Sequence, residues 1–261
     1  MYQDSETEFS RRYLKEILGA LPRPFCLVGG WAVYLTLNDA FKKAAGREYP
    51  GSRDIDLGFH LDPEWKPDEF KASSFGKAIA KIQSMGFEPE SFRFVKRYHR
   101  SEKRELTPEE ERRLPKYEMF DLYVDFLVDS EDPKRFEVAG FKVMDEPLLA
   151  RVFSGSDLVT TTLEDINVLM PSPQLLMEIK MRSLPRRTPD DKRTKDLIDF
   201  CGLLRYSGSK PPVLPKTPAG RALLEKYAQA IGSIGDEEWN RVAAALDITA
   251  AVAKRTARLI T

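Results

Sequence analysis

The chain has 261 residues, of which 42% are apolar and 31% are charged, and this balance excludes an intrinsically disordered protein. Its 41 Lys and Arg residues are matched by 41 Asp and Glu residues, and a net charge of zero argues against a general nucleic-acid-binding protein, which is usually basic. With two cysteines and two histidines, neither a disulfide framework nor a zinc site of the usual kind is expected.

The N-terminal segment MYQDSETEFSRRYLKE is polar and acidic, which is unlike a signal peptide. No run of 18 apolar residues occurs, so we expect no membrane span. Both cysteines lie in apolar runs, as buried thiols in a reducing compartment do. These features together favour a cytoplasmic protein.

Helical and strand patterns are interspersed in the first part of the chain. Apolar spacing predicts helices over 5–19, 31–46 and 68–86, each followed or ended by a glycine. Strand patterns are found over 24–28, 54–61, the start of 87–99, 119–128 and 134–143. The segment 100–118 is almost wholly charged and is interpreted as a solvated hairpin or helix, with a flap that faces a substrate as the alternative.

After Pro171 the pattern becomes helical throughout. Helices are predicted over 172–184, 190–206, 219–231 and 236–260, and the Gly-, Ser- and Pro-rich stretch 207–218 is predicted to be a linker. The sequence therefore predicts an α+β fold in two domains. Residues 1–170 would form a small mixed β-sheet with flanking helices, and residues 171–261 an all-helical domain.

Asp54 and Asp56 are two residues apart in an apolar strand pattern, so their carboxylates share one face, roughly 7 Å apart along the strand. Two like charges held this close are costly unless a cation neutralises them. Magnesium binds a few carboxylates together with water and substrate phosphates. The pair is therefore a candidate magnesium site, although an exposed strand face gives the same pattern.

A second acidic strand strengthens the metal hypothesis. In FDLYVDFLV the apolar residues alternate with Asp121, Tyr123 and Asp125, and a mid-strand charge at Asp125 needs a partner. Three carboxylates from two strands can hold two metal ions during phosphoryl transfer. Asp121 shares the face of Asp125 and is the competing third ligand, whereas Asp129 lies at the strand end.

The motif VGGW places Gly29 and Gly30 between a predicted strand and a predicted helix. A helix N-terminus presents free backbone N–H groups to an anion, and glycine lets a phosphate approach the backbone closely. A tight turn that binds nothing is the alternative. The motif is thus a candidate phosphate-binding turn.

Taken together, CLVGGWAVYL, SRDIDLGF and the later lone aspartate resemble the DNA polymerase β-type nucleotidyltransferase superfamily, and most closely its AbiEii-type toxin and antibiotic nucleotidyltransferase branch. The resemblance implies a palm-like sheet, phosphate binding by Gly29 and Gly30, and two Mg²⁺ ions held by the catalytic residues Asp54, Asp56 and Asp125. Two departures stand out. Many members have Gly-Ser in place of Gly-Gly, and the 24 positions from Gly30 to Asp54 exceed the compact form of the motif.

The segment PSPQLLMEIKMRSLPRRTPDDKRTKDLIDFCGLL resembles the helical part of the same branch. This resemblance implies nucleotide binding by Lys180, Lys195 and Asp196, with Arg187 as a further candidate. Cationic side chains here could bind nucleotide phosphates. The alternative is a set of ion pairs within the helical domain.

The resemblance implies a magnesium-dependent nucleotidyltransferase that transfers a nucleoside monophosphate from a nucleoside triphosphate to a hydroxyl acceptor, which could be a small molecule, a protein or an RNA. The alternative is a catalytically inactive nucleotide-binding or toxin–antitoxin-type interaction module, with an antitoxin-like partner protein. No membrane partner is expected.

Overall fold

We analysed a computed structural model of the chain, which describes residues 4–188 and 191–260. The chain forms two compact units. The sheet unit contains the chain up to Trp31 together with Gly51–Met170, and the helical unit contains Ala32–Pro50 and Pro171 onwards. The predicted domain boundary at 170/171 stays a prediction, since the segment Ala32–Pro50 clusters with the C-terminal helices.

The fold is α+β, as predicted: a mixed sheet with flanking helices is followed by a helical C-terminal part. The strands of the first part are β1 (Cys26–Val28), β2 (Ile55–Phe59), β3 (Glu88–Glu90), β4 (Arg93–His99), β5 (Met119–Val128), β6 (Met144–Asp145), β7 (Leu158–Leu163) and β8 (Ile166–Pro171). The helices up to this point are α1 (Asp4–Ala20), α2 (Gly29–Ala45), α3 (Pro67–Ala72), α4 (Ser74–Ser84), α5 (Pro108–Arg113), α6 (Arg135–Ala139) and α7 (Ala150–Phe153).

The main sheet has the order β1-β2-β5-β4-β3, and the short β6 pairs with the end of β5. Strands β2 and β5 are parallel, whereas β1 pairs with β2, and β4 with both β5 and β3, in antiparallel orientation. Alternation along β2 and β5 divides the sheet into an apolar and a polar face. The polar face therefore collects the charged residues of several strands.

The apolar face forms the core of the sheet unit. Phe126 of β5 packs against Phe59, Phe94 and Phe75, with ring centroids 4.7, 5.1 and 6.0 Å away. Aromatic rings at these distances add to the free energy gained from burying their surface. The predicted amphipathic face of α1 is likewise buried, and its residues are Phe9, Tyr13, Leu14, Ile17 and Leu18.

Several sequence predictions about single elements are wrong. The strand predicted over 134–143 is a helix, α6, which ends at Gly140 in the left-handed conformation with φ of 70°. The helix predicted over 68–86 breaks at Ser73, whose hydroxyl accepts the N–H of Gly76 as the cap of α4. The hairpin of β7 and β8 has no counterpart among the predictions. At Ser73 a short capping signal outweighed the apolar period.

The helical unit contains α8 (Pro173–Ser183), α9 (Asp191–Tyr206), α10 (Pro218–Gly232), α11 (Asp236–Leu246) and α12 (Ala250–Ala257). The helix predicted over 236–260 is split at Asp247, which has φ of 54°. Gly202 of α9 packs so closely on Leu37 and Tyr49 that an added Cβ would lie 2.9 Å from Leu37. Among the described residues, no helix is both long enough and apolar enough to span a membrane.

Candidate functional site

The sheet register brings two of the predicted carboxylates together. Asp56 of β2 pairs with Asp125 of the parallel strand β5. Paired residues of neighbouring strands project to the same face, and such strands lie roughly 4.8 Å apart. Asp54 directly precedes β2, and its charge acts on Arg93, which contacts Asp125. We call Asp54, Asp56 and Asp125 the carboxylate face.

Gly29 lies against this face. Val28 pairs with Asp56, and Gly29 follows with φ of 62°, a conformation that favours glycine. A Cβ added at Gly29 would overlap the carboxylate of Asp56. Glycine is therefore required at position 29 both for the left-handed turn and for the close packing against Asp56. Gly30 lies in the first turn of α2.

The structure adds Arg93, a residue that sequence reasoning missed. Its Nε donates to Oδ1 of Asp125 over 2.9 Å and its terminal nitrogen to Oδ2 over 2.6 Å, which is a two-pronged ion pair. The guanidinium also lies 4.2 Å from the ring centroid of Tyr123. Arg93 pairs with Asp125 across β4 and β5, so strand register creates the contact.

The electrostatics of Arg93 reflect more than one carboxylate. Burial by itself would lower the pKa of Arg93, but the charge of Asp125, its hydrogen bond and then the charge of Asp54 raise it. Asp125 is 4% exposed and Asp54 is 9% exposed. Nε of Arg53 lies 3.6 Å from Oδ1 of Asp54. The carboxylate face therefore depends on nearby guanidinium groups for compensation.

The fit of this face to magnesium is partial. Carboxylates on one face beside a glycine turn are the ligand type that magnesium takes. Both oxygens of Asp125, however, are engaged by Arg93. Within 4–188 and 191–260 no group of three His, Cys, Asp or Glu side chains is arranged to hold a metal ion. Asp54 and Asp56 thus fit a metal site, whereas Asp125 does not fit as a third ligand in this arrangement.

The competing acidic residues have other contacts. Asp121 accepts the hydroxyl of Tyr123 over 3.0 Å and lies 3.6 Å from Nε of Arg97. Asp129 contacts Nδ1 of His60 over 2.7 Å and accepts the N–H of Leu61. Asp121 shares the face of Asp125 but lies four residues away from it along β5, and it does not pair with Asp56.

The residues expected to bind nucleotide in the helical unit form an ion network together with Asp199. We define this ion network as Lys180, Arg187, Lys195, Asp196 and Asp199, of which Lys180, Asp196 and Asp199 are buried and Arg187 is exposed. Lys180 donates to Asp196 over 2.6 Å and lies 2.9 Å from Asp199. Nε of Arg187 donates to Asp196 over 2.9 Å, and Lys195 pairs with Asp199. A nucleotide contact by any of them stays a prediction and would compete with these ion pairs.

Burial sets the charge balance of this network. Desolvation lowers the pKa of Lys195, and the positive charge of Lys180 lowers it further against the attraction of Asp199. Burial also disfavours the charged form of Lys180, but Asp196 and Asp199 outweigh it and raise its pKa. The hydroxyl of Tyr49 donates to Asp199 over 3.0 Å. The network thus joins α8, α9 and the segment before Pro50 within one unit.

Comparisons with known proteins return little. No protein-family model and no curated protein matches the chain. Among solved structures, the chain is similar to an antigenic nucleotidyltransferase-like protein from Paracoccidioides brasiliensis, with 16% identity, 95% of this chain and 96% of that chain covered, and a TM-score of 0.43. Similarity at this level establishes neither an activity nor the role of any residue.

Proposed function

We propose that this chain is a magnesium-dependent nucleotidyltransferase that transfers a nucleoside monophosphate from a nucleoside triphosphate to a hydroxyl acceptor. One observation carries the proposal: Asp56 and Asp125 occupy paired positions on parallel strands, and Gly29 packs against Asp56. Acidic residues from two strands beside a strand-to-helix glycine turn suit a triphosphate with its metal ion.

In this proposal Asp54 and Asp56 hold the ion, which when bound neutralises the triphosphate and stabilises the leaving pyrophosphate. The N–H groups at the start of α2 donate to phosphate oxygens next to Gly29 and Gly30. Asp125 accepts the proton of the acceptor hydroxyl. The second ion that the sequence resemblance implies would need Asp125 as a ligand.

Arg93 has a defined part in the proposed reaction. Its guanidinium compensates Asp125 before substrate binds. When Asp125 takes up a proton or an ion, the guanidinium is released and can donate to a phosphate oxygen with the same two-pronged geometry. Arg93 is therefore a positioning residue for Asp125 and a candidate phosphate ligand.

A second function is favoured by the same ion pair. A guanidinium that engages both oxygens of Asp125 disfavours this aspartate as a third metal ligand, which suits a catalytically inactive nucleotide-binding or toxin–antitoxin-type module. Such a module would bind nucleotide and a partner protein without turnover. Neither hypothesis specifies whether the acceptor of a transferase would be a small molecule, a protein or an RNA.

The test is a transfer assay with each of the four α-labelled nucleoside triphosphates and magnesium, offered against small RNAs, proteins and hydroxylated small molecules. Label transfer and pyrophosphate release are measured for the wild type and Asp56→Asn. We expect the substitution to lower transfer by about 10³-fold, since a lost metal ligand removes charge stabilisation from the transition state.

Asp165→Asn is the matched control, because Asp165 is exposed in the turn between β7 and β8 and should leave transfer unchanged. Transfer that persists in Asp56→Asn or without any divalent cation would refute the proposal. Saturable nucleotide binding with no transfer to any acceptor would support the inactive module instead.

A further inference from the structure

The neutral total charge hides an uneven distribution along the chain. Residues 171–261 contain 16 Lys and Arg against 10 Asp and Glu, whereas residues 1–170 contain 25 against 31. Residues 171–261 therefore have a net positive charge, and residues 1–170 have a net negative charge of the same size. An excess of one sign raises the local concentration of ligands of the opposite sign.

Part of this positive charge surrounds a cavity that lies wholly within the helical unit. The cavity has a volume of about 860 Å³. Its walls come from the end of α8, the turn 184–187, the stretch 214–217 and α10. A concave site of this size is in the range that small molecules and cofactors occupy, roughly 300–1,000 Å³.

Among the residues that the structure describes, five cations and one carboxylate, Glu178, line the cavity. Three of the cations have carboxylate partners: Arg182 pairs with Glu178 over 3.0 Å, Arg187 with Asp196 over 2.9 Å, and Arg193 with Glu238 over 3.0 Å. These pairs hold the guanidinium groups in place along the wall.

The other two cations are surplus. Arg186 and Lys226 are exposed, and neither has an ionic partner within the part of the chain that the structure describes. Nε of Arg182 is buried and has no hydrogen-bond partner among the described residues. Two exposed positive charges with no ionic partner among the described residues therefore border one cavity.

Most of the remaining wall is apolar, with Thr217, Gln229 and Ser233 as its polar members. The apolar residues are Leu184, Pro185, Leu214, Pro215, Ala219, Ala222, Leu223 and Ala230. An apolar wall gives nothing to a bare inorganic anion, but it favours the carbon skeleton of an organic ligand. Arginine matches the oxygens of a phosphate group with two parallel N–H donors. The cationic side chains of the lining thus suit a phosphate group, and its apolar residues suit the carbon skeleton of the same ligand.

We propose that this cavity binds a small phosphorylated organic molecule, with its phosphate groups between Arg186 and Lys226 and its carbon skeleton on the apolar wall. The proposal is separate from nucleotidyl transfer, because every lining residue belongs to the helical unit and none belongs to the carboxylate face. Either proposal can fail while the other holds.

The experiment is isothermal titration of the full chain with fructose 1,6-bisphosphate in a buffer with chelator and no magnesium, so that metal-dependent nucleotide binding does not contribute. We expect saturable binding to the wild type. The double variant Arg186→Ala/Lys226→Ala should weaken it by at least about tenfold, since both surplus charges are lost. Both side chains are exposed, so the variant should fold.

The matched control is Arg221→Ala/Lys210→Ala, which removes two exposed positive charges from the same unit without altering the cavity lining. It should bind as the wild type does. The absence of saturable binding to the wild type, or equal weakening in the control, would overturn the proposal. Single-stranded RNA that binds the wild type while the bisphosphate fails to compete would also overturn it, in favour of a macromolecular ligand.

Discussion

The carboxylate face of the sheet unit and the ion network of the helical unit are both clusters of acidic and basic side chains. Among the residues named here, acidic side chains outnumber basic ones in the first cluster, and basic side chains outnumber acidic ones in the second. The carboxylate face contains three carboxylates, of which Asp125 pairs with Arg93 and Asp54 lies near the more distant Arg53. The second sets three cations against Asp196 and Asp199.

The comparison shows what distinguishes a candidate ligand site from a structural cluster. Asp199 is fully buried and is contacted by Lys180, Lys195 and Tyr49, so its charge is used within the unit. The carboxylate face brings acidic residues of neighbouring strands together beside a glycine turn, and carboxylates are the ligand type that a divalent cation takes. We therefore expect substitutions in the network to change stability, and substitutions on the face to change metal binding.

The largest effect on stability is expected for Asp199→Ala. It leaves two buried ammonium groups with less compensation, and breaking a buried ion pair costs about 3–5 kcal/mol of unfolding free energy. Urea denaturation measures this cost. Asp236→Ala, which removes an exposed ion pair with Lys254 in the same unit, should leave the midpoint close to wild type. Similar midpoints for both variants would contradict a structural role for the network.

The next effect compares the two ends of α2. Gly29 and Gly46 both have positive φ, at 62° and 70°, but an added Cβ overlaps the carboxylate of Asp56 at Gly29 and meets nothing within 4 Å at Gly46. Gly46→Ala should cost about 1 kcal/mol of unfolding free energy from backbone strain alone. Gly29→Ala should cost about 2–3 kcal/mol, because Asp56 must also move. Equal losses of unfolding free energy in the two variants would mean that the side chain of Asp56 moves aside without cost.

A smaller effect is expected on the carboxylate face itself. Arg93→Met removes the two hydrogen bonds and the positive charge that Arg93 presents to Asp125. Mn²⁺, used as a magnesium substitute, should then bind about tenfold more tightly by electron paramagnetic resonance. Arg97→Met is the control, since Arg97 lies on the same strand but contacts Glu90, Glu111 and Asp121. Unchanged or weaker Mn²⁺ binding in Arg93→Met would show that Asp125 is not a latent metal ligand.

The smallest effect concerns acid stability. Burial would raise the pKa of Asp196, but Lys180 and Arg187 outweigh it and hold this pKa below the ordinary value of 3.8. The stability contributed by the carboxylate is therefore present above the ordinary value and lost as pH falls through the lowered one. Asp196→Asn should lose less stability than the wild type between about pH 5 and about pH 2, measured as urea midpoints. If the urea midpoints of wild type and Asp196→Asn fall in parallel as pH is lowered, Asp196 does not contribute to the loss of stability in acid.

Local patterns predicted much of the fold. The strand predicted over 119–128 coincides with β5, and the period of the first helix placed its apolar face on the correct residues. Alternation also put Asp54 and Asp56 on one face of the chain. Patterns failed where a single residue ended an element, as at Gly140 and Ser73, because a cap or a left-handed turn acts over a few residues that a period averages out.

Arg93 could have been suspected from sequence, since it alternates with Val95 and Arg97 in a strand pattern and a mid-strand aspartate needs a cation. Its partner could not be chosen, because strand register joins residues 32 positions apart. The uneven division of charge at residue 171 is also visible in the sequence, and it is consistent with the phosphate-binding cavity that we propose in the helical unit.

What the sequence by itself determined was the set of local elements, the α+β class, and the two carboxylates that share a face through a two-residue spacing. Only the tertiary structure decided that β2 and β5 are parallel neighbours, that Arg93 engages Asp125, and that Lys180 and Lys195 are buried against aspartates. The physical reason is that periodicity fixes where a side chain points along its own element. Pairing and burial depend on which distant elements pack beside it, and no local pattern records that.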